Sequence, residues 1–183
     1  MIAIPFWSAE LVLGLVWLAI RAALWIRRRR IDWKREALLL LMLVNLAVLL
    51  RITFFPRERL DGHIRPLILY TGSILPFRVN LIPFVRLSDY AYRRDLLFNV
   101  VGNAAMFIPS GILLPSLYPK LRGFFRTLAA GAGISLCIEL LQLPFSVRAT
   151  DVDDLILNTL GVAVGYGLFA AVRAAARAMC GKS

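Results

Sequence analysis

The sequence predicts an all-α fold: a polytopic transmembrane helical bundle of about five spans, with residues 1–183 forming a single membrane domain. Three observations carry that prediction. Hydrophobic residues make up 60% of the chain, charged residues only 18%, and the mean hydropathy is +0.73; a soluble domain is about half apolar and about a quarter charged. The apolar residues stand in long unbroken runs rather than in alternating or one-faced patterns. At roughly 20 residues per crossing, five spans consume most of the chain and leave no room for a separate soluble domain.

Five apolar segments account for the spans: residues 6–26, 36–55, 96–118, 124–145 and 155–172. Each is long enough to cross about 30 Å of hydrocarbon as a helix, the conformation that satisfies every backbone polar group internally. The first is closed by Arg27, Arg28, Arg29 and Arg30. Its charge follows the apolar run instead of preceding it, the order of an uncleaved anchor rather than of a cleavable signal peptide. Trp7, Trp17, Trp25 and Trp33 fall mostly near span ends, where amphipathic rings anchor helices. Arg21 lies near the inner end of the first span, placed to snorkel toward headgroups. Between the second and third spans, residues 74–86 mix prolines, aromatics and arginines and are too interrupted to cross. An interfacial or re-entrant element suits them, with an ordinary connecting loop as the alternative.

Cations in the short connections set the orientation. With five spans, Arg27–Arg30, Lys34, Arg35, Lys120, Arg122, Arg126, Arg173, Arg177 and Lys182 share one side, twelve residues against eight on the other. The reading is N-terminus out and C-terminus in. The same placement explains most of the net charge of +11. Basic residues spread between apolar runs orient helices and meet anionic lipid, so membrane lipids are the expected partners and nucleic acid is not. Cys137 and Cys180 form no disulfide or zinc pattern; a packing residue and a free thiol are expected. With His63 the sole histidine, and in a connection, no metal is expected, and no cofactor.

Polar residues inside spans are costly and face a bundle interior or a water-filled cavity. Asn99 and Asn103 share one helix face in the third segment, and Glu139 and Gln142 share one in the fourth. Asp151, Asp154 and Asn158 fall on one stripe at the start of the fifth, with Asp153 on a different surface. In the predicted topology Asn103 lies about 10 Å, Glu139 roughly 9 Å and Asn158 roughly 6 Å from the outer end of its helix. Arg148 sits just above this layer. These eight residues, Asn99, Asn103, Glu139, Gln142, Arg148, Asp151, Asp154 and Asn158, are the candidate ligand-binding layer. Arg51 and Thr53, near the outer end of the second span, could join the site, with snorkelling by Arg51 as the alternative, and Asn45 in mid-span suits an interhelical hydrogen bond. Gly131, Gly133, Gly161, Gly165 and Gly167 would let helices approach closely, and Pro109 removes one helical hydrogen bond in the third span.

Two readings of the layer stay open on residue types alone: a hydrogen-bond clamp between helices, or a site. As a site it could bind a lipid or sugar headgroup, hold a hard cation through oxygen ligands, or perform acid–base chemistry. The lack of a repeat and of a polar path through the inner half argues against transport.

The motifs resemble the VanZ-like family of membrane proteins. Those carrying the resemblance are Asn80-Leu81-Ile82-Pro83-Phe84, Asn99-x3-Asn103-x3-Phe107-x-Pro109-x-Gly111, Glu139-x2-Gln142, and Arg148-x2-Asp151-x2-Asp154-x3-Asn158-x2-Gly161. The blocks cover about residues 76–167 and extend weakly into the second span; residues 6–26 share only generic hydrophobicity. The resemblance implies a multi-pass protein of the bacterial cytoplasmic membrane, in a family named for an accessory protein of low-level teicoplanin resistance. It implies no reaction and assigns no catalytic residue. The leading expectation is therefore binding, to an extracytoplasmic lipid, a cell-wall precursor or a lipophilic antibiotic. An intramembrane enzyme using buried carboxylates on a lipid-linked substrate is the alternative.

Overall fold

The computed structural model describes residues 2–28, 31–55, 59–60, 63–69, 79–80, 82–83, 93–145 and 150–180. Among the described residues, five helices are long and apolar enough to cross a membrane. They are α1 (Phe6–Arg28), α2 (Trp33–Phe54), α3 (Arg93–Leu117), α4 (Phe124–Gln142) and α5 (Val152–Cys180). The chain divides into two compact units, Met1–Val79 with Ile138–Thr150, and Asn80–Cys137 with Asp151–Ser183.

In the first unit, the Asp32 carboxylate caps α2 by accepting the Arg35 N–H at 3.2 Å. Arg51 closes the other end of α2, donating from Nη1 to the Phe55 carbonyl at 3.0 Å while its guanidinium lies over the Phe6 ring. Short strands, invisible to hydropathy, tie the connections down. β1 (Ile2–Ile4) runs antiparallel to β4 (Leu67–Leu69), and β2 (Arg59–Leu60) pairs with β3 (His63–Ile64). The chain end before α1 thus lies beside the connection that follows α2, as two successive crossings require. Phe54, Phe55 and Leu67 make the core here, flanked by Ile4, Phe6, Ile138 and Phe145. Arg21 does not snorkel. Its guanidinium is buried in an ion pair with Glu36 and also faces the Trp25 ring. A carboxylate in the first turn of α2 satisfies it in place of headgroups.

The second unit is built on α3 and α5. Ala104 meets Gly161, Ile108 and Gly111 meet Gly165, and Ile112 and Ser116 share a cavity with Leu168 and Val172. Position numbers rise together, so the two helices are parallel. On α4 the order reverses, Ser135 meeting Asn158, Gly131 meeting Val162 and Phe124 meeting Tyr166. Parallel α3 and α5 with an antiparallel α4 is what three consecutive crossings demand. Glycine makes the contact possible: at Gly111 a Cβ would lie 2.9 Å from the Cα of Gly165, and at Gly161 2.8 Å from the carbonyl carbon of Ala104. Gly161-x3-Gly165 therefore packs within the monomer. Gly133 and Gly167, expected to act likewise, have nothing within 4 Å of a built Cβ and contribute no close approach.

Boundaries shift for local reasons. α5 starts at Val152, ahead of the expected residue 155, because Asp151 caps it; the Asp151 carboxylate accepts the Asp153 N–H at 3.1 Å. It runs on to Cys180 through an alanine-rich stretch of high helix propensity. α4 stops at Gln142 because Pro144 disfavours helical backbone before it. α3 continues through Pro109 and Pro115. β5 (Val79–Asn80) pairs with β6 (Thr150–Asp151). The interfacial element expected over residues 74–86 lies largely outside the described residues.

Candidate polar site on helices three and five

Burial is inverted relative to a soluble protein. Large apolar side chains such as Leu11, Leu15, Leu41, Leu97, Leu141 and Val164 are exposed, whereas Asn45, Ser110, Thr127, Ser135, Glu139, Gln142 and Asn158 are buried. Lipid is the solvent that makes such an arrangement stable, since a polar side chain facing hydrocarbon is costly and an apolar one is not.

Five candidates fall in the second unit, and the structure links them in short chains of hydrogen bonds. Asn103, on α3, donates from Nδ2 to Asn99 Oδ1 at 2.9 Å and to Asp154 Oδ1 on α5. One amide thus bridges a helix turn and a helix pair. Asp151 Oδ1 accepts from Asn80 Nδ2 at 3.1 Å as well as from the Asp153 N–H. These carboxylates sit at the start of α5, where the helix macrodipole favours negative charge. Asn99, Asn103, Asp151 and Asp154 are all half-buried.

One turn below Asp154, the arrangement changes. Asn158 is 1% exposed and donates to the hydroxyl of Ser135, itself fully buried, at 2.9 Å. Its Oδ1 is buried and has no hydrogen-bond partner among the described residues. An unsatisfied acceptor of this kind costs about 1–3 kcal/mol. Two half-buried carboxylates and, one turn further along the same face of α5, a buried carbonyl thus follow one another.

The remaining candidates are placed elsewhere. Glu139 and Gln142 belong to the first unit, both buried; Gln142 Nε2 donates to the Thr53 carbonyl at 2.5 Å and joins the end of α4 to the end of α2. Glu139 is partnered. Thr53 spends its own hydroxyl on the Leu49 carbonyl. Arg148 lies outside the described residues. Sequence reasoning missed Ser135, because one serine in an apolar run carries no periodic signal. It also missed the burial of Asp153, which is 9% exposed despite its place on another surface of α5, and gave Asn80 no part in the layer.

Five membrane-crossing helices with polar groups turned inward define a multi-pass α-helical membrane protein. More particularly, the chain belongs to the VanZ/LLP1 family, whose model matches residues 37–173. That match takes in all of α2 after its first turn and leaves α1 out entirely. Among curated proteins the chain is similar to Protein VanZ of Enterococcus faecium, 34% identical over 91 residues, which cover 50% of this chain and 52% of that protein. The matched stretch thus spans about half the length of that relative. No solved structure matches the chain.

Proposed function

We propose that the protein binds an envelope ligand on the extracytoplasmic side of the bacterial cytoplasmic membrane: a lipid headgroup, a cell-wall precursor or a lipophilic antibiotic. The observation that carries this reading is Asn158 Oδ1, a buried acceptor without a donor directly beneath the half-buried Asp154. The groups along this face are acceptors: the Asn158 carbonyl, and the Asp154 and Asp151 carboxylates, which already take hydrogen bonds from Asn103 and Asn80. They suit a ligand part that donates hydrogen bonds, such as sugar hydroxyls or an amine, and repel a bare phosphate. Interactions of this kind would hold a glycosylated or amine-bearing molecule whose apolar portion stays in lipid. A contribution to teicoplanin tolerance fits that chemistry.

The test compares wild type with Asp154→Asn and Asn158→Ala in bacterial membranes, using dye-labelled teicoplanin binding and drug susceptibility, with folding followed by size exclusion in detergent. Removing the Asp154 charge should weaken binding roughly tenfold or more, as hydrogen bonds to charged groups contribute about 1.5–3 kcal/mol. Unchanged binding and susceptibility in normally folded variants would sink the proposal.

A further inference from the structure

The other end of the α3–α5 pair carries a different chemistry, independent of the polar site. Arg173 lies nineteen positions after Asp154 on α5, roughly 28 Å along the helix at 1.5 Å per residue. That is about one hydrocarbon thickness, so the two residues mark opposite headgroup layers. At the same end of the second unit as Arg173 lie Lys120, Arg122 and Arg126, from the α3–α4 turn and the start of α4, and Arg177, one turn further along α5. The Tyr166 hydroxyl, donating to the Arg122 carbonyl at 2.8 Å, holds that turn against α5. No acidic residue occurs between residues 96 and 138 or beyond residue 154. Five cations at one end of this unit therefore have no carboxylate of their own to neutralise them.

Beside Arg173 lies a cavity of about 270 Å3, walled by Ile112 and Ser116 of α3 and by Leu168, Phe169, Val172 and Ala176 of α5. Its walls are almost wholly apolar, because the Ser116 hydroxyl is already spent on the Ile112 carbonyl at 2.6 Å. Leu168 and Val172 are exposed, so the cavity opens toward lipid. Arg173 is half-buried at its rim and makes no ion pair among the described residues. The volume falls below the roughly 300–1,000 Å3 of sites that enclose a drug-sized molecule. It accommodates a length of one chain, with the rest of the molecule outside.

We infer that this groove binds an acidic phospholipid, one acyl chain lying between α3 and α5 and the phosphate meeting the Arg173 guanidinium. Arginine matches phosphate with paired N–H donors, and in a zwitterionic lipid the phosphate charge is already partly neutralised by the lipid's own ammonium group. Arg122, Arg126 and Arg177 add attraction for an anionic headgroup without fixing its position.

The experiment is native mass spectrometry of the full chain released from detergent, titrated with phosphatidylglycerol and, separately, phosphatidylcholine of matched chains. Wild type should retain phosphatidylglycerol in clear preference. Arg173→Gln should reduce that affinity about fivefold, the equivalent of about 1 kcal/mol for one basic side chain at an anionic surface. Ala176→Leu, which fills the groove without altering charge, should also reduce it, and a short-chain phosphatidylglycerol should bind wild type weakly. Arg173 and Ala176 are not in the helix seam, so both variants should fold, which size exclusion in detergent would check. Equal retention of the two lipids by wild type, or phosphatidylglycerol binding undiminished in Arg173→Gln, would overturn the headgroup assignment. Tight binding of the short-chain lipid would overturn the groove.

Discussion

Replacing Gly161 by alanine should destabilise the protein, whereas the same change at Gly167, six residues along the same helix, should not. At Gly161 the new Cβ would stand 2.8 Å from the carbonyl carbon of Ala104 and 3.1 Å from its Cα, with the carbonyl oxygen closer still. Carbon atoms pack best at about 3.5–4.0 Å, so α3 must retreat by roughly 0.7–1.2 Å. The obstructing atoms are helix backbone and cannot rotate away. A gap of that size forfeits about a quarter to a half of each dispersion contact along the seam, including those at Gly111 and Gly165. Overpacking of this kind costs about 1–3 kcal/mol, against a gain of about 1 kcal/mol from alanine's helix propensity. At Gly167 nothing lies within 4 Å, leaving only the propensity gain. The difference between the two variants cancels propensity and isolates the steric cost, about 1–3 kcal/mol. Thermal unfolding in one detergent, followed by far-UV circular dichroism, measures it. Equal shifts for the two variants would refute the backbone-to-backbone seam. Gly161→Ala combined with Gly165→Ala should cost less than the sum, since helices already pushed apart have room for the second methyl.

Other predictions rest on single contacts. Arg21→Ala leaves the part-buried Glu36 carboxylate without its cation and should cost up to about 3–5 kcal/mol, much of it recovered when Glu36→Ala is added; a double-mutant cycle on unfolding midpoints reads this directly. Gln142→Ala removes the donor to the Thr53 carbonyl, with an expected loss of about 1–3 kcal/mol in the same assay. Asn103→Ala takes one donor from both Asp154 and Asn99, so under the proposed function it should weaken teicoplanin binding; unchanged binding would show that the bridging amide is dispensable.

The eight candidate residues were legible because amides and carboxylates inside apolar runs are conspicuous, and helical spacing puts them on faces. Their division into separate groupings was not. Nothing in Asn103-x50-Asp154 announces a hydrogen bond across two helices, and nothing in Asn158 reveals that Ser135 takes its amide while its carbonyl is left over. Arg21 shows the same limit: the choice between snorkelling and pairing depends on where α2 places Glu36. Gly161, Gly165 and Gly167 look equivalent in the sequence, yet only the first two face α3.

Composition, run length and the spacing of polar residues by themselves determined that this chain is a five-span helical membrane protein, because the cost of unsatisfied backbone in hydrocarbon leaves a long apolar run no other way to cross. Family membership was likewise readable from the spaced motifs. Only the tertiary structure decided which glycines carry the α3–α5 seam, which polar groups satisfy one another, and which acceptor remains without a donor. Those outcomes depend on the relative rotation and separation of packed helices, and single ångströms there decide whether two groups meet.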